Sequence, residues 1–346
     1  MKRDNNSKIW YKYNGLTPTD GSLAFIIAFV GSLIFSFALS TSIKDQNALS
    51  IVFSVINQLF FIATAYYVSR KAFKRDCPDI KRGTFNSVCY SLGFNKRTKA
   101  SLLVLCVLMP IFSILAFLPI SALVEYLFKL MGYNQTPTYA DYTSSVGMFL
   151  ACVVVLCILP AFGEEMVMRG ALARGLRAKG TIFAIVVSSL MFAFLHGSPV
   201  QFIHQFLIGL IMAYITILTD CIWHSVIFHF VNNFAVILYE FIYKQSGATY
   251  VLPTWSYGVM FVVGLLGLGG LLVLFTIICV KTAREKQNAQ NKPQETDRKE
   301  SIVKTLFDTS EYKYKSYEKT PCATLYVALA LVILIWIANT VVGWIQ

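Results

Sequence analysis

Glu164 and Glu165 stand side by side behind a run of apolar and small residues, in LCILPAFGEEMVMRGALARGLRAKG. Adjacent carboxylates in such a setting can do acid–base chemistry if one of them is left unpaired. Arg169 follows Glu165 by four residues, the spacing that puts both on one helix face. Glu164 points about 100° away from Glu165 and has no such partner nearby in the chain. The pair therefore divides into one carboxylate held by a guanidinium and one left to exchange protons near neutrality. A buried ion network is the competing explanation for this motif taken alone.

Two further groups follow. TIFAIVVSSLMFAFLH brings Phe192 and then His196, and IWHSVIFHFVNNFAVILYEF carries His229 and Asn233 at i and i+4, on one helix face. An Asn in hydrocarbon needs a partner, and a His–Asn face turned inward can donate hydrogen bonds to a developing oxyanion. The same face would also serve as interhelical glue. His224 reads as a residue at the mouth of its span, or as a further ligand. His204, Gln201 and Glu240 read as interface residues, and Glu125 lies near the outer end of its span. No HExxH or GxSxG occurs, Ser188–Ser189 has no base at fixed spacing, and no pair of Asp falls within the spans.

The elements that must position these groups are set by composition. The 346 residues are 56% hydrophobic and only 14% charged, with mean hydropathy +0.60. Soluble domains carry roughly 25% charge, so this chain lacks the polar residues to cover a water-facing surface. An ordinary cytosolic, disordered or nucleic-acid-binding protein is excluded. The sequence specifies an all-α, polytopic transmembrane helical bundle. A span needs about 20 mainly apolar residues, and nine stretches qualify or nearly so: 21–40, 49–68, 100–126, 146–164, 181–196, 202–219, 222–243, 257–280 and 323–345. Continued to about residue 178, the fourth span would place Glu164 roughly 20 Å from its cytoplasmic end, and His196 would lie about 22 Å along the fifth.

The net charge of +12 follows the rule that cytoplasmic loops collect Lys and Arg. Residues 69–99 hold nine bases against two acids, 166–180 add Arg169, Arg174, Arg177 and Lys179, and 281–320 add ten bases against seven acids. Strict alternation with a cytoplasmic N-terminus puts every rich loop inside. The expected organisation is a cytoplasmic tail at 1–20, a transmembrane core at 21–280, a basic flexible linker at 281–322 and an appended ninth helix at 323–346. Gly264, Gly267, Gly269 and Gly270 in the eighth span read as a packing device. The eight cysteines form no CxxC pair and read as buried thiols.

Taken together, Glu164-Glu165-x-x-x-Arg169, Phe192-x-x-x-His196 and His229-x-x-x-Asn233 resemble the three-motif signature of the CPBP family. These are CAAX-processing and bacteriocin-processing intramembrane proteases, which include type II CAAX prenyl endopeptidases and bacterial Abi proteins. The resemblance covers about residues 100–243. It implies a membrane-embedded cavity for peptide-bond hydrolysis, with Glu164 the general base helped by His196. His229 and Asn233 would stabilise the oxyanion, and Glu165, Arg169 and Phe192 would hold the architecture. Family members have been labelled metalloproteases. Glu164, His196 and His229 would suit Zn2+ as two His and one carboxylate, or activate water with no metal; both readings stay open. The expected partners are a peptide or membrane-protein substrate and the lipid bilayer, with no nucleic acid, and a partner docking at the 281–346 extension. The alternatives are a non-catalytic scaffold for bacteriocin immunity or peptide binding, and a proton-coupled transporter.

Overall fold

The computed structural model describes residues 15–77, 84–96, 98–133, 145–247, 252–290 and 322–345. Among these every regular element is a helix: α1 Pro18–Ser42, α2 Gln46–Asp76, α3 Thr84–Leu92, α4 Ala100–Leu130, α5 Val146–Lys179, α6 Thr181–Leu195, α7 Pro199–Thr219, α8 Trp223–Ser246, α9 Thr254–Gln290 and α10 Ala323–Ile345. Eight of them are long and apolar enough to cross a membrane, and the chain is a multi-pass membrane protein. Large apolar side chains such as Phe37, Leu123, Ile182, Leu266 and Leu334 are exposed, as expected where lipid replaces water as the solvent.

Of the nine expected spans, the fifth differs in length. At 15 residues, α6 rises only about 22 Å, less than the hydrocarbon layer of about 30 Å. Its end and the turn through Gly197 and Ser198 therefore lie at membrane depth, where irregular backbone must be covered by protein. The last described helix, α10, provides cover: Trp336 packs on Phe194 and Phe202 with ring centroids 5.6 and 5.4 Å away. Trp336→Ala is expected to lower the melting temperature in detergent by several degrees and Trp336→Phe to leave it nearly unchanged, measured on the purified protein. The linker expected at 281–322 begins as helix, since α9 continues to Gln290; residues 291–321 and 1–14 lie outside the described residues.

Contacts between helix ends show that α2 runs antiparallel to α1, and α7 and α9 antiparallel to α4. Arg75 at the end of α2 pairs with Asp20 at the start of α1, 2.9 Å, and Lys99 before α4 pairs with Glu285 in α9, 3.0 Å. At the opposite face Ser121 of α4 meets His204 of α7, 3.1 Å, and Phe128, Tyr133 and Trp344 cluster. The basic ends thus gather on one face.

The centre of the bundle is α5. Every residue from Met166 to Ala173 is buried, because α1, α2, α3, α6 and α7 all pack on that stretch. At the periphery α4 and α9 run together, and a Cβ on Gly264 would run into the backbone of Ala116. Two of the four glycines noted in that span, Gly264 and Gly267, meet α4, while Gly269 and Gly270 face open space. Gly264→Leu is therefore expected to separate α4 from α9 and cost folded yield, with Gly269→Leu tolerated, as read by size-exclusion chromatography of tagged variants.

Candidate active site

Glu164 and Glu165 end a short α-helical stretch, Leu159–Glu165, between two π-helical ones, Val153–Ile158 and Met166–Ala173. Such widened turns recur at functional sites. Arg169 Nη1 donates to Glu165 Oε1 at 2.7 Å, and both side chains are 0% exposed. The guanidinium also donates through Nη2 to the Gly209 carbonyl in α7, 3.3 Å, and lies 4.3 Å from the centre of the Phe192 ring. His229 Nδ1 meets the same Glu165 oxygen at 2.9 Å. One buried carboxylate therefore joins α5 to α8 directly, and to α6 and α7 through its arginine.

Glu164 is held differently. Its Oε1 accepts one hydrogen bond, from Gln58 Nε2 of α2 at 2.9 Å. Its Oε2 is buried and has no hydrogen-bond partner among the described residues. His196 caps α6, with Nδ1 2.9 Å from the Phe192 carbonyl oxygen, and is within electrostatic reach of Glu164 and His229. Phe192 meets both imidazoles edge to face, 4.7 Å from His196 and 6.0 Å from His229. Each Nδ1–H is the donor to the oxygen it faces, which leaves Nε2 of both rings without a protein partner among the described residues.

Asn233 lies one turn beyond His229 and donates through Nδ2 to the Leu156 carbonyl, 2.9 Å. The reason is local: Pro160, four residues after Leu156, has no N–H to reach back to that carbonyl. Asn233 accepts in turn from Asn232 Nδ2 at 3.2 Å. One of its two amide hydrogens is thus committed to packing and one remains.

The residues expected at the site are therefore near neighbours, with Asn233 at the edge. The others stand apart. His224 is fully enclosed, with Thr98 on Nε2 and Thr219 on Nδ1, so both nitrogens are engaged and it is a structural residue. His204 bonds Ser121 at the opposite face, Glu125 pairs with Lys129, and Glu240 is exposed. For a metal, no group of three or more His, Cys, Asp or Glu among the described residues is placed to hold an ion. Glu164, His196 and His229 do not form such a cradle as they stand, and one Glu164 oxygen already receives the Gln58 amide.

Sequence reasoning missed Gln58, although a Gln within an apolar span was itself a signal. It also missed Asp220, in the turn between α7 and α8, where Arg174, Arg177 and Lys96 converge. This cluster ties the end of α5 to the helix pair that carries His229. Burial pushes the Asp220 carboxyl up, but Arg174, Lys96 and Arg177 outweigh it and hold the group down to about 2, from 3.8. Because the folded value is depressed, its stabilisation, about 2 kcal/mol, is complete above about pH 4 and is lost as pH falls towards 2. The difference in melting temperature between wild type and Asp220→Asn is expected to be full at pH 7, slightly smaller at pH 4 and reduced to about a third at pH 2.5.

The model of the family described as type II CAAX prenyl endopeptidase Rce1-like matches residues 145–235. That segment is about a quarter of the chain and holds Glu164, Glu165, Arg169, Phe192, His196, His229 and Asn233; Gln58 and α10 fall outside it. No curated protein and no solved structure matches the chain. The match points to a protease in general terms. Over residues 145–235 the chain is similar to Rce1-like type II CAAX prenyl endopeptidases, consistent with the CPBP family.

Proposed function

We propose that the chain is an intramembrane endopeptidase, processing CAAX-type C-termini or bacteriocin- and signal-type peptides in a site formed by α5, α6 and α8. The observation that carries this reading is the asymmetry of the two carboxylates. Each carboxylate keeps a buried Oε2 without a hydrogen bond among the described residues, but Glu165 has Arg169 and His229 on its Oε1, while Glu164 meets only the neutral amide of Gln58. A binding scaffold has no need of such a group, whereas a general base does.

In this mechanism a water molecule attacks the scissile carbonyl carbon. As the new C–O bond forms, the water proton passes to Glu164 Oε2. His196 Nε2 accepts from the water's other hydrogen and orients it. The oxyanion is met by His229 in its imidazolium form, whose Nε2–H donates while Glu165 balances the charge, and by the second amide N–H of Asn233. Collapse breaks the C–N bond, and the proton held by Glu164 moves to the leaving amine. The basic face would be cytoplasmic by the loop-charge rule, with the N-terminus on that side. The region from about 100 to 243 would carry the chemistry.

The test compares peptide and membrane-protein termini in cells carrying wild type or Glu164→Gln at equal expression. A terminus present only with wild type supports proteolysis and identifies a substrate. Identical profiles would move the reading to a non-catalytic scaffold for immunity or peptide binding.

A further inference from the structure

Gln58 lies on α2, more than a hundred residues before the carboxylate it touches and outside the family-matched segment. It is only 5% exposed. Leu or Met would fill the same space without a polar group to satisfy. Yet Gln58 leaves its own Oε1 without a donor among the described residues, which costs the fold stability. What the side chain does make is one hydrogen bond, Nε2 to Glu164 Oε1 at 2.9 Å.

The approach that allows this bond is also specific. Gly163 packs so closely on α2 that a Cβ there would strike the Gln58 side-chain oxygen and stand 2.9 Å from its backbone oxygen. The amide orientation follows from chemistry: an ionised carboxylate only accepts, so the NH2 must face Glu164 and Oε1 must face away. Gln58 therefore engages one oxygen of Glu164 and leaves the other, Oε2, without a donor among the described residues.

We propose that Gln58 is a positioning residue for the catalytic base: by holding Oε1 it fixes the rotation of the Glu164 carboxylate, so that Oε2 alone takes the proton of the attacking water. This rests on the proteolytic reading of Glu164. A bond to an ionised group that fixes the base only for the chemical step acts on kcat and leaves substrate binding alone.

The test uses the full-length protein in proteoliposomes with a quenched fluorescent peptide ending in a farnesylated CAAX sequence. Wild type, Glu164→Gln, Gln58→Met, Gln58→His and Gln58→Asn are compared, with folding checked by melting temperature. Gln58→Met keeps the volume and loses the donor, and is expected to lower kcat about 10- to 100-fold with KM within about threefold. Gln58→His, whose ring N–H still reaches a carboxylate, is expected to recover most of kcat. Gln58→Asn keeps the amide one methylene short and is expected to fall with the Met variant, which covers the case that the Met variant does not fold. Cleavage by wild type, none by Glu164→Gln, and wild-type kcat in any folded donor-free or shortened variant would overturn the role of Gln58 alone. No cleavage by wild type of this peptide or of a peptide whose terminus appears in cells only with wild type, or equal cleavage by Glu164→Gln, would overturn the proteolytic reading and the Gln58 role with it.

Discussion

Glu164→Gln is expected to lower the rate of peptide hydrolysis by about 10^3-fold or more, at the upper end of what a positioned general base contributes, without loss of fold. The second half of that expectation is as informative as the first. Gln58 can still donate to the side-chain oxygen of the substituted Gln, so the contact between α2 and α5 survives. Meanwhile a buried charge with one unpaired oxygen is removed, which favours the folded state. The melting temperature should equal or exceed that of wild type. Such a pairing of lost activity with retained or raised stability belongs to a group kept for chemistry. A structural carboxylate would show stability and activity falling together.

Arg169→Met is expected to do the opposite. Glu165 and Arg169 are both fully enclosed, and removing the guanidinium leaves a buried carboxylate beside His229 and Ser225 with no permanent cation. Breaking one side of a buried ion pair costs about 3–5 kcal/mol, which corresponds to a fall in melting temperature of order 10 °C. The double variant Glu165→Gln/Arg169→Met removes both charges and should recover much of that loss, since a neutral, well-packed pair carries no uncompensated charge. Thermal unfolding of the two variants beside wild type checks this. Equal destabilisation by the single and double changes would mean that lost packing on Phe192 and Gly209, and not the stranded charge, dominates.

What the sequence disclosed is what short-range geometry encodes. The Glu165–Arg169 pair was legible because both partners lie one helical turn apart, and the helical bundle was legible because spanning lengths and loop charges agree. The engagement of Glu164 was not: its partner Gln58 is on another helix, brought close only by the packing of Gly163. The bounds of α6 were legible to within one residue of the expected 181–196, and its end is set by the turn at Gly197. Asn233 was expected to face an oxyanion. Its bond to Leu156 follows from Pro160, a cue present in the sequence but meaningful only once α5 and α8 lie side by side. Asp220, by contrast, sits at a backbone φ of 53° in a turn, and nothing local indicates that three cations from two other segments will meet there.

The most direct test of the central claim, that Glu164 activates water, is a single-turnover cleavage in H2(18)O with purified wild type and Glu164→Gln. The substrate is a peptide released by the wild-type protein in cells. One (18)O is expected in the new C-terminal carboxylate with wild type, and no product above background with the variant. Cleavage by Glu164→Gln at the wild-type rate, with the same isotope in the product, would contradict it.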